Sequence, residues 1–342
     1  MSHHNGQGQG IAMMGRREWL RGLAGMALLA VAPGRAWGGK PEEKLLDRFP
    51  WLRPWVEQDG LDEGRLQALL GNLAPDRRVL ALMERQAESL PYHAYRTRVL
   101  SDQRIRKGRR MMERHKATLA RVMERYPATP EVVVALWGVE SDFGDGQGDL
   151  HVLRTLFTLA VHDRRRAEFF REQLREFLLL CREEGWDPRQ PKGSYAGAMG
   201  QVQMMPGTLR RYGVDFNQDG KRDVMRDVGD ALASIASFLH GHDWRPQGRM
   251  AQPMPDAPAV TKAFADFPKI RKPWREWREM AIPWPAGTPE PDAEESMALI
   301  ALEEPQGLRY YMTFSNFWVI TQWNRSSRFA MVVREFSLAL RT

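Results

Sequence analysis

The sequence predicts a mainly α-helical protein (α+β) with a small antiparallel β-sheet in its C-terminal part. Apolar residues recur at helical spacing over most of the chain, as in Phe169, Phe170, Leu174, Phe177, Leu178 and Cys181. Near the C-terminus the pattern changes. Residues 297–302, 308–314 and 317–321 are short β-prone runs, joined by Pro305-Gln306-Gly307 and Ser315-Asn316. At 342 residues the chain is long enough to bury a real core.

The first segment reads as an address. Arg16-Arg17 precede Trp19-Leu20, a Gly-interrupted apolar run from Leu23 to Ala32, and small residues around Pro33. This predicts a twin-arginine signal peptide over 1–38 and export to the periplasm. The apolar run is too short for a permanent membrane anchor. No cysteine stands at the cleavage region, which excludes a lipid there. Of the net charge of +7, residues 1–38 hold +3, leaving +4 for the remainder. That balance gives no case for nucleic acid and is compatible with an anionic polymer. The single cysteine, Cys181, excludes an intrachain disulfide and reads as a buried apolar residue.

Residues 40–126 are charged and helical in pattern. One helix opens at Leu61-Asp62-Glu63, a second at Asp76, and a third runs from about Asp102 to Tyr126. Next comes Thr129-Pro130-Glu131, an N-cap, a first-turn proline and an acid at the positive helix end. Eight uncharged residues follow, so more than one face of this helix must be buried. Glu140 ends the run and Gly144 reads as the stop. A carboxyl at the tip of an apolar helix is disfavoured as an anion by desolvation and by the helix dipole. A neutral carboxyl is what a general acid needs. The other reading of Glu140 is a partner for one of the many arginines.

Helical patterns resume at 152–161 and 165–184. Residues 192–206 gather Gly193, Ala196, Gly197, Ala198 and Gly200 around Ser194, Tyr195, Gln201 and Gln203. Small residues let a ligand approach the backbone, and neutral polar groups suit hydroxyls and acetamides. Asp215, Asn217, Asp219, Gly220 and Asp223 occupy the first, third, fifth, sixth and ninth places of a calcium loop. Arg226 stands at the twelfth place, so Asp227 or Asp230 would have to complete the set. His240-Gly241-His242 has no further ligand spacing for zinc. Residues 245–292 are Pro- and Trp-rich and read as irregular, and 326–340 as a helix.

Taken in order, Tyr95-Arg96, Gly138-Val139-Glu140-Ser141, Arg165-Arg166-Ala167-Glu168-Phe169-Phe170, the stretch from Lys192 to Gly200, Gln203-Met204-Met205-Pro206 and Thr321-Gln322-Trp323-Asn324 resemble the membrane-bound lytic murein transglycosylase B family. The resemblance spans roughly 45–340. It implies a lysozyme-like helical core over 130–245, within a catalytic region 39–342 flanked by 45–126 and 246–342. It implies non-hydrolytic cleavage of the β-1,4 bond between N-acetylmuramic acid and N-acetylglucosamine, leaving 1,6-anhydromuramyl ends. Peptidoglycan glycan strands, and other cell-wall enzymes, are the implied partners. No cofactor is implied for catalysis.

Residue by residue, the resemblance maps the acid/base onto Glu140. It maps sugar contacts onto Ser194, Gln203, Tyr95, Arg165, Arg166, Trp323 and Asn324. It maps a structural Ca2+ onto Asp215, Asn217, Asp219, the carbonyl of Lys221, and Asp230. The chain departs from the family at Phe169, Phe238, Phe329 and Trp323, where relatives favour tyrosine, and at Asp142-Phe143, where they carry Arg-Trp. Asp142 is thereby a second carboxylate near Glu140. It opens a lysozyme-type hydrolase as the alternative, and the lost hydroxyls open a non-catalytic murein-binding protein.

Overall fold

The computed structural model describes residues 44–85 and 90–341. The predicted signal segment 1–38 lies outside them. Helices α1 (Leu45–Arg48), α2 (Arg53–Glu57), α3 (Glu63–Leu70), α4 (Arg77–Arg85), α5 (Tyr92–Val99), α6 (Asp102–Arg114) and α7 (Lys116–Arg125) lead to α8 (Pro130–Ser141). Strand β1 (Leu150–His151) then opens α9 (Val152–His162) and α10 (Ala167–Glu183). Strand β2 (Lys192–Gly193), α11 (Pro206–Tyr212) and α12 (Val228–His240) complete the middle of the chain. The last part holds β3 (Ala251–Pro253), α13 (Pro258–Asp266), β4 (Lys272–Pro273), α14 (Trp274–Glu279), β5 (Ser296–Glu304), β6 (Gly307–Thr313), α15 (Ser315–Trp323) and α16 (Ser327–Leu340).

The mainly α prediction holds, with one antiparallel sheet in the order β3-β6-β5-β4. β5 and β6 form a hairpin in the register Ala298↔Thr313 to Glu304↔Gly307, turning at Pro305-Gln306. A second, two-stranded pair joins β1 to β2 through Leu150↔Gly193. Helix α8 runs through the main core, with every residue from Val132 to Gly138 buried. Gly138 is what lets α16 close on it, because a Cβ there would meet the Phe336 and Phe143 rings at under 3 Å. A separate small core of Met254, Val260, Trp274, Trp277, Met297, Leu299 and Met312 stands behind the sheet.

Several expectations need correction. Residues 317–321 belong to helix α15, not to a strand. Phe317, Val319 and Ile320 are all buried, and a short run apolar on every side cannot separate a strand from a buried helix by periodicity. The long helix over 102–126 is two helices, broken at His115. Helix α5, not among the helices picked out within 40–126, docks through Tyr92 Oη, which donates to Glu335 Oε1 at 2.7 Å. The Pro-rich 245–292 segment carries α13, α14 and two strands, organised by the buried Trp274 and Trp277. Thr129 begins α8 in extended geometry but does not cap it with its side chain. Its hydroxyl instead donates to Pro246 O and accepts from Trp244 Nε1.

Candidate active site

The site is built on the end of α8. Asp142, Phe143 and Gly144 all take positive φ (52°, 62° and 91°), so the chain reverses sharply once Ser141 is passed. Asp142 N–H donates back to Gly138 O, closing the last turn. The Asp142 carboxylate turns to α6, where Lys107 Nζ lies at 3.0 Å and Arg104 Nε at 3.4 Å. Lys107 also reaches the carbonyl of Asp142 and the carboxylate of Asp145. Phe143 fills the space beneath, edge-on to Trp137 at 5.4 Å.

Glu140 stands half-buried one residue before Ser141. Its Oε1 accepts a hydrogen bond from Trp323 Nε1 at 2.8 Å. Trp323 ends α15, and its ring packs edge-on against Phe238 of α12 at 4.8 Å. Phe238 in turn lies 4.0 Å from the His242 ring and 5.2 Å from that of Tyr212. Phe238 and Trp323, two positions where the resemblance led one to expect tyrosine, therefore touch each other, and Trp323 holds Glu140.

The loop after β2 is tied to this helix end. Ser141 Oγ donates to Gln201 O at 2.5 Å and accepts from Gly144 N–H at 2.9 Å. Trp137 Nε1 donates to Gln201 Oε1 at 3.1 Å. Gln203, at φ 48°, donates its amide N–H groups to Gln147 O and Gly200 O, at 2.9 and 2.8 Å. That leaves the amide oxygen as an acceptor. Ser194 Oγ accepts from the N–H groups of Ala196 and Ala198, which leaves its O–H as a donor. The close approach of the 144–148 loop requires glycine at 148, with φ 93°, because a Cβ would collide with Gly193 O.

The remaining sugar-contact candidates sit apart. Tyr95 is half-buried on α5 against the main core. The backbone N–H groups of Arg165 and Arg166 are held by Asp163 at the start of α10, with both side chains exposed. The Arg166 guanidinium lies 4.5 Å above the Phe169 ring. Asn324 is exposed and shapes the α15–α16 turn through Ser326 N–H. Sequence reasoning passed over Gln147, and it named Ser141 and Gln201 only as members of longer stretches, without the hydrogen bonds that join them.

In the Asp-rich loop, Asp215 accepts from the N–H groups of Asp219 and Gly220, and Asp219 from that of Lys221. The Asn217 amide donates to Asp219 Oδ2 and Asp227 Oδ2. Asp230 turns inward and is fully buried. Its two oxygens accept from Phe216 and Asp223 N–H, and burial raises its pKa above the ordinary value. Asp227, also the N-cap of α12, accepts from the Asn217 side-chain amide, so both Asp227 and Asp230 border the loop at Asn217. Among the described residues no three Asp, Glu, His or Cys side chains converge to hold a metal. Equally, among the described residues no basic side chain pairs with Asp215, Asp219 or Asp227, so the donor set is anionic and unneutralised. It suits a cation bound with the help of Asn217 and a carbonyl.

The chain matches the Transglycosylase SLT domain model over residues 47–338. It is 30% identical over 296 residues to membrane-bound lytic murein transglycosylase B of Escherichia coli K12, covering 83% of this chain and 80% of that relative. Among solved structures, soluble lytic transglycosylase SltB1 of Pseudomonas aeruginosa superposes with a TM-score of 0.77 at 31% identity, over 85% of this chain and 97% of that one. The E. coli lytic transglycosylase Slt35 in complex with calcium gives 0.73 at 29% identity, over 85% and 91%. SltB3 of P. aeruginosa, in complex with NAG-anhNAM-pentapeptide, gives 0.75 at 30% identity, over 87% and 80%. With its acid on a buried helix, its Gly-rich loop and these matches over most of its length, the chain belongs to the SLT-domain lytic transglycosylases.

Proposed function

We propose that this protein cleaves peptidoglycan as a lytic transglycosylase, with Glu140 serving first as acid and then as base. The observation that carries the reading is the Glu140 carboxyl held at 2.8 Å by Trp323 on a helix end bolted to the Ser194/Gln203 loop. The Glu140 proton passes to the glycosidic oxygen as the bond from the muramyl C1 to that oxygen breaks. The substrate's own N-acetyl oxygen assists at C1, so no second enzyme carboxylate is needed. The Glu140 anion then takes the proton of the 6-hydroxyl as O6 bonds to C1, closing the anhydro ring without consuming water. The Ser194 O–H orients the acetamido group, and the Gln203 amide oxygen accepts from a sugar hydroxyl. Tyr95, Arg165, Arg166 and Asn324 contribute to more distant sugar positions.

Asp142 is unsuited to act as a nucleophile, because Lys107 and Arg104 hold its carboxylate. That favours the lytic reaction over lysozyme-type hydrolysis. Mass spectrometry of products from purified sacculi tests it. Anhydromuramyl ends are expected, reducing ends would mark a hydrolase, and binding without release a non-catalytic protein. The segment 130–245 is the catalytic core in this reading, and residues 1–38 direct export to the periplasm. The Asp215 loop would hold Ca2+ through Asp215, Asn217, Asp219 and the Lys221 carbonyl, with Asp227 or Asp230 completing the set. The ion would rigidify the loop and supply no chemistry.

A further inference from the structure

Two adjoining clefts lie away from Glu140, and they share Arg334 and Leu338 of α16. The smaller, about 260 Å³, opens at the N-terminal end of α8 beside Thr129 and Val132. Helix rise places that end about 16 Å from Glu140 along the axis. Its lining includes Arg249, Arg334 and Arg341 and no acidic residue. The larger, about 870 Å³, runs along the outer edge of β6.

Arg334 is the feature that needs explaining. Among the described residues its half-buried guanidinium makes no hydrogen bond or ion pair. The adjacent Glu335 is taken by Arg96 and the Tyr92 hydroxyl. Arg249 stacks on the Phe314 ring and gives one N–H to Pro289 O. Arg341 reaches Glu131 only at 3.7 Å. Burial lowers the pKa of both Arg334 and Arg249, the reverse of the acid-paired arginines 96, 175 and 210. An unpaired, partly desolvated cation is costly unless an anion arrives.

The larger cleft adds the marks of a peptide site. Leu308 and Leu338 are 53% and 41% exposed on its walls. Tyr310 O accepts from Met254 N–H, where the line of β3 ends. By alternation the N–H and C=O of Leu308 face the same side, beyond that end, and are open to pair with an amide. Asp256 and Glu304 line the same cleft and suit an amine.

We propose that these joined clefts bind a short zwitterionic peptide, the stem that peptidoglycan carries on its muramic acid. Its carboxylate meets Arg334, Arg249 and Arg341, its methyl groups lie on Leu308 and Leu338, and its free amine faces Asp256 and Glu304. This rests on the reading of the protein as a peptidoglycan enzyme. The polymer would be held by its peptide at one end of α8 while its glycan is cut at the other.

The test titrates free stem tetrapeptide into the Glu140→Gln protein by calorimetry, with inorganic phosphate as a second probe. Saturable peptide binding is expected, weakened about 10- to 100-fold by Arg334→Met and largely restored by Arg334→Lys. The melting midpoint of Arg334→Met should be unchanged or raised, because an unpaired buried charge is removed. Leu308→Asp provides a second variant that should weaken the peptide alone. No binding, binding indifferent to Arg334, or phosphate competing as well as the peptide would overturn the proposal. Cleavage of peptide-free glycan strands by the unaltered protein reports on the catalytic reading separately.

Discussion

Trp323 Nε1 donates to Glu140 Oε1 at 2.8 Å. An indole N–H donates and never accepts. That bond therefore occupies Oε1 as an acceptor whichever charge state Glu140 is in, and the transferable proton belongs on Oε2. A tyrosine hydroxyl in the same place could donate or accept, and would fix the proton less firmly. Trp323→Phe keeps an aromatic surface against Phe238 and removes only the donor. We expect kcat on sacculi to fall about 10- to 100-fold, the worth of one hydrogen bond to a charged group, with KM little changed. A large rise in KM with kcat intact would make Trp323 a sugar-stacking residue instead.

Asp142 is the second carboxylate near the acid, and its environment is structural. Lys107 and Arg104 neutralise it, and it sits at φ 52°, a conformation that asparagine also tolerates. Asp142→Asn should leave the product pattern unaltered and reduce turnover less than about 10-fold, far short of the loss of a general acid or base. A loss comparable to that of Glu140 would return the hydrolase reading.

Calcium should raise the melting midpoint by several degrees relative to protein in chelator, since an ion at 100 times its Kd adds about 2.7 kcal/mol. Asp219→Asn should remove most of that difference. An identical midpoint in calcium and chelator would leave the Asp215 loop as a self-bonded turn.

Acid should weaken the fold through its paired carboxylates. A hydrogen bond from Arg175 holds Asp59 below the ordinary aspartate value, and one from Arg328 does the same for Glu303. Each folded-state pKa lies below its unfolded value, so each pair contributes stability above the unfolded value. That contribution is lost as pH falls through the folded-state value. Urea melts should show stability declining below about pH 4, and Asp59→Asn should flatten the decline at a cost of ~1–3 kcal/mol at neutral pH. The same slope in the variant would exclude Asp59 as a contributor.

Much of this was legible in the residues. The uncharged run from Val132 to Val139 dictated a buried helix, and the small residues around Ser194 dictated a tight loop beside it. The β5–β6 hairpin was marked by its Pro305-Gln306-Gly307 turn. What escaped depended on distant partners. Helix α15 is set by packing on every side, which no local pattern encodes. The partners of Asp142 stand 35 and 38 residues away on α6, and the hydrogen bond from Trp323 to Glu140 spans 183 residues. The partners of Asp230 were equally hidden, because the amides of Phe216 and Asp223 that it accepts from are set by how the loop folds back on α12.

The most direct measurement is the rate of release of soluble fragments from purified sacculi by Glu140→Gln, which keeps the side chain's shape and an acceptor for Trp323. The variant should melt as the parent does and lose on the order of 10²-fold or more in rate. A folded variant that digests sacculi at the parent's rate would contradict the assignment of Glu140 as the acid.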